Sequence, residues 1–206
     1  MTPAGPPAAC SVVELRRYRL HPGRRDELIA LFDRELVETQ EAVGMRVIGQ
    51  FRDPGAPDDF VWLRGFADMA ARKAALAGFY GGPVWRAHGS AANATMVSSD
   101  DVLLLRPADG AAWSPPAGER PPATAAGDGA GAVLVTIWPL GAASPGDLGT
   151  PLVTLVTERS PNTFPALPVR EGESVEIALA AVPDAAAPVP DGSTRLIPTV
   201  RSLLHG

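Results

Sequence analysis

The sequence predicts an α+β protein: a ferredoxin-like βαββαβ first half and a mostly β second half stripped of helices, the two sheets forming a split α/β barrel. Three observations carry this prediction. Short alternating runs bounded by Pro and Gly recur along the chain. Two stretches of the first half change to the three- and four-residue period of an amphipathic helix. Beyond residue 131, four further strand-like runs follow with no such period between them.

The first strand spans 12–20, where Val12, Glu14, Arg16, Tyr18 and Leu20 share one face and Pro22-Gly23 closes the run. A helix starts near Arg24, with Leu28, Leu31, Phe32, Leu36 and Val43 on one stripe, and Gly44 stops it where a left-handed cap is cheapest. Strands follow at 45–52 and 60–66, split by the turn-forming Asp53-Pro54-Gly55-Ala56-Pro57-Asp58. Asp68 is placed to N-cap a second helix over 69–77, with Gly78 at its end, and Pro83 opens one or two more helical turns. A fourth strand at 101–106 completes the unit.

Residues 107–131 are dominated by Pro, Gly and Ala and predict a linker. The second half holds strands at 133–138, 151–158, 174–182 and 195–204, and the links at 139–150 and 183–194 are too rich in Gly and Pro for a helix. Val175, Ile177, Leu179 and Ala181 give one strand an apolar face, which needs burial against the first sheet. The domain reading is therefore a flexible leader 1–11, a first domain 12–106, the linker 107–131 and a degenerate second copy 132–206. The two sheets are expected to enclose a small-molecule cavity.

A net charge of −5 without a basic cluster argues against nucleic acid as a partner. No run approaches the ~18 apolar residues of a membrane span, and the leader lacks a basic and apolar secretory pattern, so the expected compartment is the cytoplasm. The single Cys10, read as part of the flexible leader, leaves no internal disulfide and no multi-cysteine zinc site. Gly127-Asp128-Gly129-Ala130-Gly131-Ala132 fits a GxGxxA pattern, yet a strand follows it where dinucleotide binding needs a helix. His21, His88 and His205 show no metal-binding spacing, so neither a metal nor a cofactor is expected.

Val13-Glu14-Leu15-Arg16-Arg17-Tyr18 with Pro22-Gly23 resembles the opening of NIPSNAP-domain proteins of the dimeric α/β-barrel superfamily. Val84-Trp85-Arg86-Ala87-His88, leading through Ala92-Asn93-Ala94-Thr95 to Asp100-Asp101-Val102-Leu103-Leu104-Leu105, is similar to the same family. Ser160-Pro161-Asn162-Thr163-Phe164-Pro165, the segment 167–173 and the ending 195–204 resemble its two-domain bacterial members, which usually keep the helices missing here. The resemblance implies a ferredoxin-like fold and a homodimer. The wider superfamily it implies includes cofactor-free monooxygenases, isomerases and cyclases alongside proteins without known activity.

Charged groups on both faces of the first strand must be paired or must line a cavity. An ion pair between Glu14 and Arg16 is the structural account. The functional account makes Glu14 a base of raised pKa and Tyr18 a proton donor, with Arg16 lining the cavity. Trp62 and Arg64 share a face of the third strand between Phe60 and Phe66, a wall suited to an apolar or aromatic ligand bearing an oxyanion. His88 has the intrinsic pKa of a general acid or base, with Trp85 three residues earlier on its helical face. Asn93 is the amide candidate for substrate contact. The expected activity is a cofactor-independent isomerase, cyclase or monooxygenase acting on an apolar or aromatic metabolite; the alternative is a non-catalytic ligand-binding or interaction module. A sheet without helical cover also predicts a homodimer.

Overall fold

Strand β1 (Val12–Leu20) is paired on both sides, to β3 (Asp59–Phe66) and to β4 (Met96–Pro107), and β2 (Arg46–Arg52) joins β3. The computed structural model describes residues 5–146 and 149–206. Residues 1–4 of the expected leader and 147–148 of the first Gly/Pro link lie outside the described residues. The second half supplies β5 (Ala132–Pro139), β6 (Val153–Thr157), β7 (Val175–Val182) and β8 (Ser193–Pro198), without a helix between them among the described residues. The ring runs β1-β3-β2-β8-β5-β7-β6-β4 and every pairing is antiparallel. Within each half the strands follow one order, β4-β1-β3-β2 and β8-β5-β7-β6.

The two sheets expected as a split barrel thus join edge to edge in a single closed barrel. Its seams are short: β2 meets β8 at Phe51↔Pro198 and Arg52↔Ile197, and β4 meets β6 at Leu105↔Thr157, Arg106↔Val156 and Pro107↔Leu155. Among the described residues the expected chamber shrinks to a cleft of about 50 Å³ lined by Leu15, Val61, Leu103, Val135 and Leu196 among others. Val13, Leu15, Val61, Leu63, Leu103 and Leu105 meet Val133, Val135, Leu155, Ile177, Leu179 and Leu196 in one buried cluster. An eight-stranded barrel is just wide enough for its inward side chains to fill it. A register shift between Val47 and Gly49 lets Ile48 and Phe51 join that interior. Closure pairs part of each sheet edge, and the short seams leave 46–50 of β2 and 96–104 of β4 outside the β2–β8 and β4–β6 ladders.

The first half carries all the helices on its outer face. Helix α1 (Arg25–Leu31) continues through a π turn (Phe32–Leu36) into α2 (Val37–Glu41), and the Val37 N–H reaches back to Phe32 O. The extra residue of the π turn brings Phe32, Asp33 and Leu36 inward together. Gly44 holds φ 93°, the left-handed stop the sequence predicts. Helix α3 (Met69–Tyr80) is capped by Asp68, which accepts from the Ala71 N–H at 2.7 Å. It does not end at Gly78: the buried positions Arg72, Ala75, Leu76 and Phe79 carry it on to Gly81-Gly82. Pro83 then opens α4 (Pro83–Asn93), longer than the turn or two predicted. Among the described residues no helix is long and apolar enough to cross a membrane.

The leader and linker are less loose than their composition suggests. Cys10 is fully buried and exchanges two backbone hydrogen bonds with Trp113, and burial pushes its thiol up to about 11, so it is inert at neutral pH. Arg46, Arg120 and Arg201 fasten residues 116–121, donating between them to Pro116 O, Pro121 O, Glu41, Val47 O and Glu38. A methyl group at Gly65 would overlap the Cys10 side chain and crowd Ile48. Gly65→Ala is expected to cost ~1–3 kcal/mol in urea unfolding, the usual penalty of overpacking.

Candidate functional site

The even-numbered residues of β1 and β3 point away from the barrel interior toward the helices, which concentrates charge where water is excluded. Glu14 stands directly opposite Arg64 in the β1–β3 pair, and Arg16 opposite Trp62. Glu14 Oε2 accepts from Arg16 Nη1 at 2.6 Å and Arg64 Nε at 2.8 Å, and Oε1 accepts from Arg72 Nε at 2.6 Å. All four side chains are wholly buried. Arg72 reaches the cluster from the first turn of α3, where the Asp68 cap fixes the helix start.

Surrounding groups satisfy part of the remaining hydrogen-bonding capacity. Arg16 Nε donates to the Tyr18 hydroxyl at 2.9 Å, Arg64 Nη1 to Gln40 Oε1 at 3.2 Å, and Arg72 Nη1 to Asn162 Oδ1 at 3.0 Å. The Arg16 guanidinium lies 5.5 Å from the Trp62 ring centre and that of Arg64 lies 5.1 Å from it, close enough for cation–π attraction. Three guanidinium charges face one carboxylate, a net of +2. On each arginine the second terminal nitrogen, Nη2, has no partner, and neither has the Trp62 indole N–H. Buried polar groups in folded proteins are nearly always hydrogen-bonded, so four orphaned donors around one locus call for an explanation.

The electrostatics correct the expected role of Glu14. Burial pushes its carboxyl up, but the charges of Arg64, Arg16 and Arg72 together outweigh burial and hold it well below the usual carboxylate range. Glu14 is therefore a permanent anion that positions arginines, not a base of raised pKa. For Tyr18, burial wins over the pull of the Arg16 charge and its phenol is raised above the ordinary tyrosine value. It is neutral at pH 7, and its oxygen accepts from Arg16.

Beside the cluster, Tyr18, Phe32, Trp62, Phe79, Tyr80 and Trp85 line a cleft of about 20 Å³, room for a single water. Glu14, Tyr18, Arg16, Trp62 and Arg64 are thus brought together, with Trp85 on the cleft wall. His88 and Asn93 are not. The inward face of α4 is formed by Trp85, Gly89 and Ala92, which leaves His88 on its flank, 3.6 Å from Glu35, and Asn93 exposed at the helix end. Among the described residues, no group of His, Cys, Asp or Glu is arranged to hold a metal ion.

Three contributors escape the strand pattern: Arg72, Gln40 and Asn162. Arg72 has a local signal, because it falls on the stripe of Ala75, Leu76 and Phe79 at the 3, 4 and 7 spacing of a buried helix face. Gln40 has the same signal, one turn beyond the buried Leu36. Asn162 comes from the second half, 90 residues from its partner Arg72.

The NIPSNAP family model matches residues 13–115, half of the chain. No curated protein matches it. An uncharacterized NIPSNAP-like domain protein from Burkholderia xenovorans is 28% identical over 52% of this chain and 94% of its own, with a TM-score of 0.46. Two structures follow the fold over nearly the whole chain. A putative monooxygenase from Lactobacillus acidophilus NCFM covers 92% of this chain and 93% of its own at 13% identity and TM-score 0.51. Another, from Fusobacterium nucleatum, covers 94% and 93% at 8% identity and TM-score 0.52. Because the matched segment holds the whole arginine cluster, Glu14 and Tyr18, it is the first half that defines the chain, which belongs to the NIPSNAP family.

Proposed function

We propose that this NIPSNAP protein is a small-molecule enzyme for a largely apolar or aromatic metabolite bearing an anionic oxygen, and that it works by stabilising an oxyanion. The observation that carries the reading is the orphaned Nη2 on each of Arg16, Arg64 and Arg72. Donors fixed in a dry site favour negative charge that develops on a substrate oxygen, as in an enolate or phenolate. Isomerisation, cyclisation and reaction of an enolate with oxygen all pass through such an anion. The α-proton lost in forming it passes to solvent water, since Glu14 is held by the arginines and Tyr18 is itself protonated. The two full-length fold neighbours are described as putative monooxygenases, a description of those proteins that lends the last branch its interest. Tyr18 is the proton donor and Glu14 the positioning residue that holds the arginines.

Residues 132–206 form a second copy of the same unit in this reading, supported by the repeated strand order. That copy contributes Asn162 to the first half's site and has no arginine cluster of its own among the described residues. We also propose a homodimer, supported by the family resemblance and by a second sheet without helical cover; only monomer at micromolar concentration in sedimentation refutes it.

The test is exchange of the α-proton of enolisable aryl ketones in D₂O, followed by NMR, with oxygen uptake recorded alongside. Wild type is expected to accelerate exchange and Tyr18→Phe to slow it ~100-fold or more, the scale of a lost general acid. Binding without exchange or oxygen uptake supports the second reading, a ligand-binding module. Two observations favour that reading: Glu14 is locked as an anion, and His88 lies outside the cleft. Absence of any binding sinks both.

A further inference from the structure

The segment that crosses from the second half onto the arginine cluster puts two chemical groups there. Asn162 Oδ1 accepts from Arg72 Nη1 at 3.0 Å, and Phe164 lies over Tyr80 with ring centres 6.0 Å apart and planes 29° from parallel. Outside itself the segment is held by few other bonds: Arg72 Nη1 also donates to Thr163 Oγ1 at 3.4 Å, Thr163 Oγ1 to Met69 O at 3.4 Å and the Ser160 N–H to Glu158 at 2.7 Å, while Asn162 Nδ2 to Leu167 O, the Phe164 N–H to Asn162 Oδ1 and the Leu167 N–H to Phe164 O are internal to it. Phe164 is only half-buried, packed on the edge of the core that contains Phe79 and Trp62.

The fit on Arg72 is incomplete. Its Nε is taken by Glu14, which leaves the outward edge formed by Nη1 and Nη2. A carboxamide oxygen occupies Nη1 and leaves Nη2 bare. A carboxylate has two oxygens at the spacing of that edge and would satisfy both nitrogens at once, and the charge assists the bond. Asn162 and Phe164 therefore look like placeholders, an acceptor oxygen and an aromatic ring two residues apart, filling the position of a ligand that carries both.

Asn162 also lines a groove of about 930 Å³ whose wall mixes Leu104, Pro165 and Val169 with the charged Arg159, Arg170, Glu158, Glu171 and Glu173. Leu104 sits directly opposite Glu14 in the β1–β4 pair, so the groove comes within one strand of the arginine cluster, with Asn162 beside it. Its size lies in the ~300–1,000 Å³ range usual for small-molecule sites.

We infer that residues 160–168 form a lid that occupies the site in the unliganded protein, and that the ligand is an aryl carboxylate whose carboxylate takes Arg72 from Asn162 and whose ring takes Tyr80 from Phe164. The inference rests on the oxyanion reading above and names its ligand class and its gate. A lid that competes with the ligand lowers apparent affinity by the fraction of time it is closed, and loosening it raises affinity without adding a contact.

Calorimetric titration with phenylacetate, and with phenylacetamide as its neutral counterpart, tests this. Phenylacetate is expected to bind wild type at least tenfold more tightly than phenylacetamide, and Asn162→Ala and Phe164→Leu to tighten phenylacetate about tenfold. Arg72→Gln is expected to lose phenylacetate binding. Hydrogen exchange of unmodified protein gives a second readout that no folding defect can blur: amides within 160–168 exchange faster at saturating phenylacetate. Binding to wild type with unchanged or weaker binding to both lid variants, or with slower exchange in 160–168, overturns the lid and leaves the oxyanion reading standing. Equal binding of the amide overturns the carboxylate assignment. No binding to any form overturns this inference and the reading beneath it.

Discussion

Replacing Glu14 with Gln is expected to remove ~3–5 kcal/mol of stability, the scale of a broken buried ion pair, and to leave the protein close to its unfolding threshold. The reason is asymmetric. Glutamine keeps the shape and one acceptor oxygen, but three buried guanidinium groups then have no counter-charge, and an unpaired buried charge costs far more than a lost hydrogen bond. The pH course follows from the sign of the shift. The Glu14 pKa is depressed in the folded state, so its stabilisation is fully present above the unfolded value near 4.5 and is lost progressively as pH falls below that toward the folded value. Urea midpoints of wild type and Glu14→Gln should therefore differ by a constant amount from pH 8 to about 5, and converge below 4.5. A variant as stable as wild type at pH 7 contradicts the central role given to this carboxylate.

The second large effect has the opposite sign. Asp33, drawn inward by the π turn, is almost wholly buried and accepts from Gln50 Nε2 at 2.9 Å. Burial raises its carboxyl from 3.8 to about 6, and the nearby Arg201, Arg120 and Arg52 only partly offset that. A carboxylate whose folded pKa is raised stabilises the fold below its unfolded value, and the benefit disappears as pH rises through the folded one. The gap between 3.8 and about 6 amounts to ~3 kcal/mol of strain at pH 8. Asp33→Asn keeps an acceptor for Gln50 and removes the charge, so it is expected to stabilise by up to ~3 kcal/mol at pH 8 and to lose that advantage below pH 4. Thermal melts across this range check it, and a gain that does not change with pH contradicts the assignment.

The two variants also mark how far local reading of the chain can reach. The alternation of β1 and β3 places Glu14, Arg16, Tyr18, Trp62 and Arg64 on one face without any knowledge of the fold, because a strand has only two faces. Arg72 was equally legible: an arginine on an apolar helical stripe needs a buried partner. The sign of the Glu14 shift was not, since it depends on how many cations converge, and one of them arrives from a helix 58 residues away. Asn162 left no local trace, because its contact is set by a loop that crosses between halves. His88 shows the reverse error: a suitable intrinsic pKa says nothing about position, and the α4 stripe turns it outward. The chamber expected between the sheets is cut to about 50 Å³ for a geometric reason, that eight closed strands are nearly filled by their own inward side chains.

That closure has an evolutionary corollary. Because the greasy lining of the barrel is drawn from both halves, a change in one inward residue must be answered by its counterpart across the ring, whereas the core beneath the helices is built almost wholly by the first half. That outer core lies on one side of the ring only, the side that also holds the buried arginine cluster.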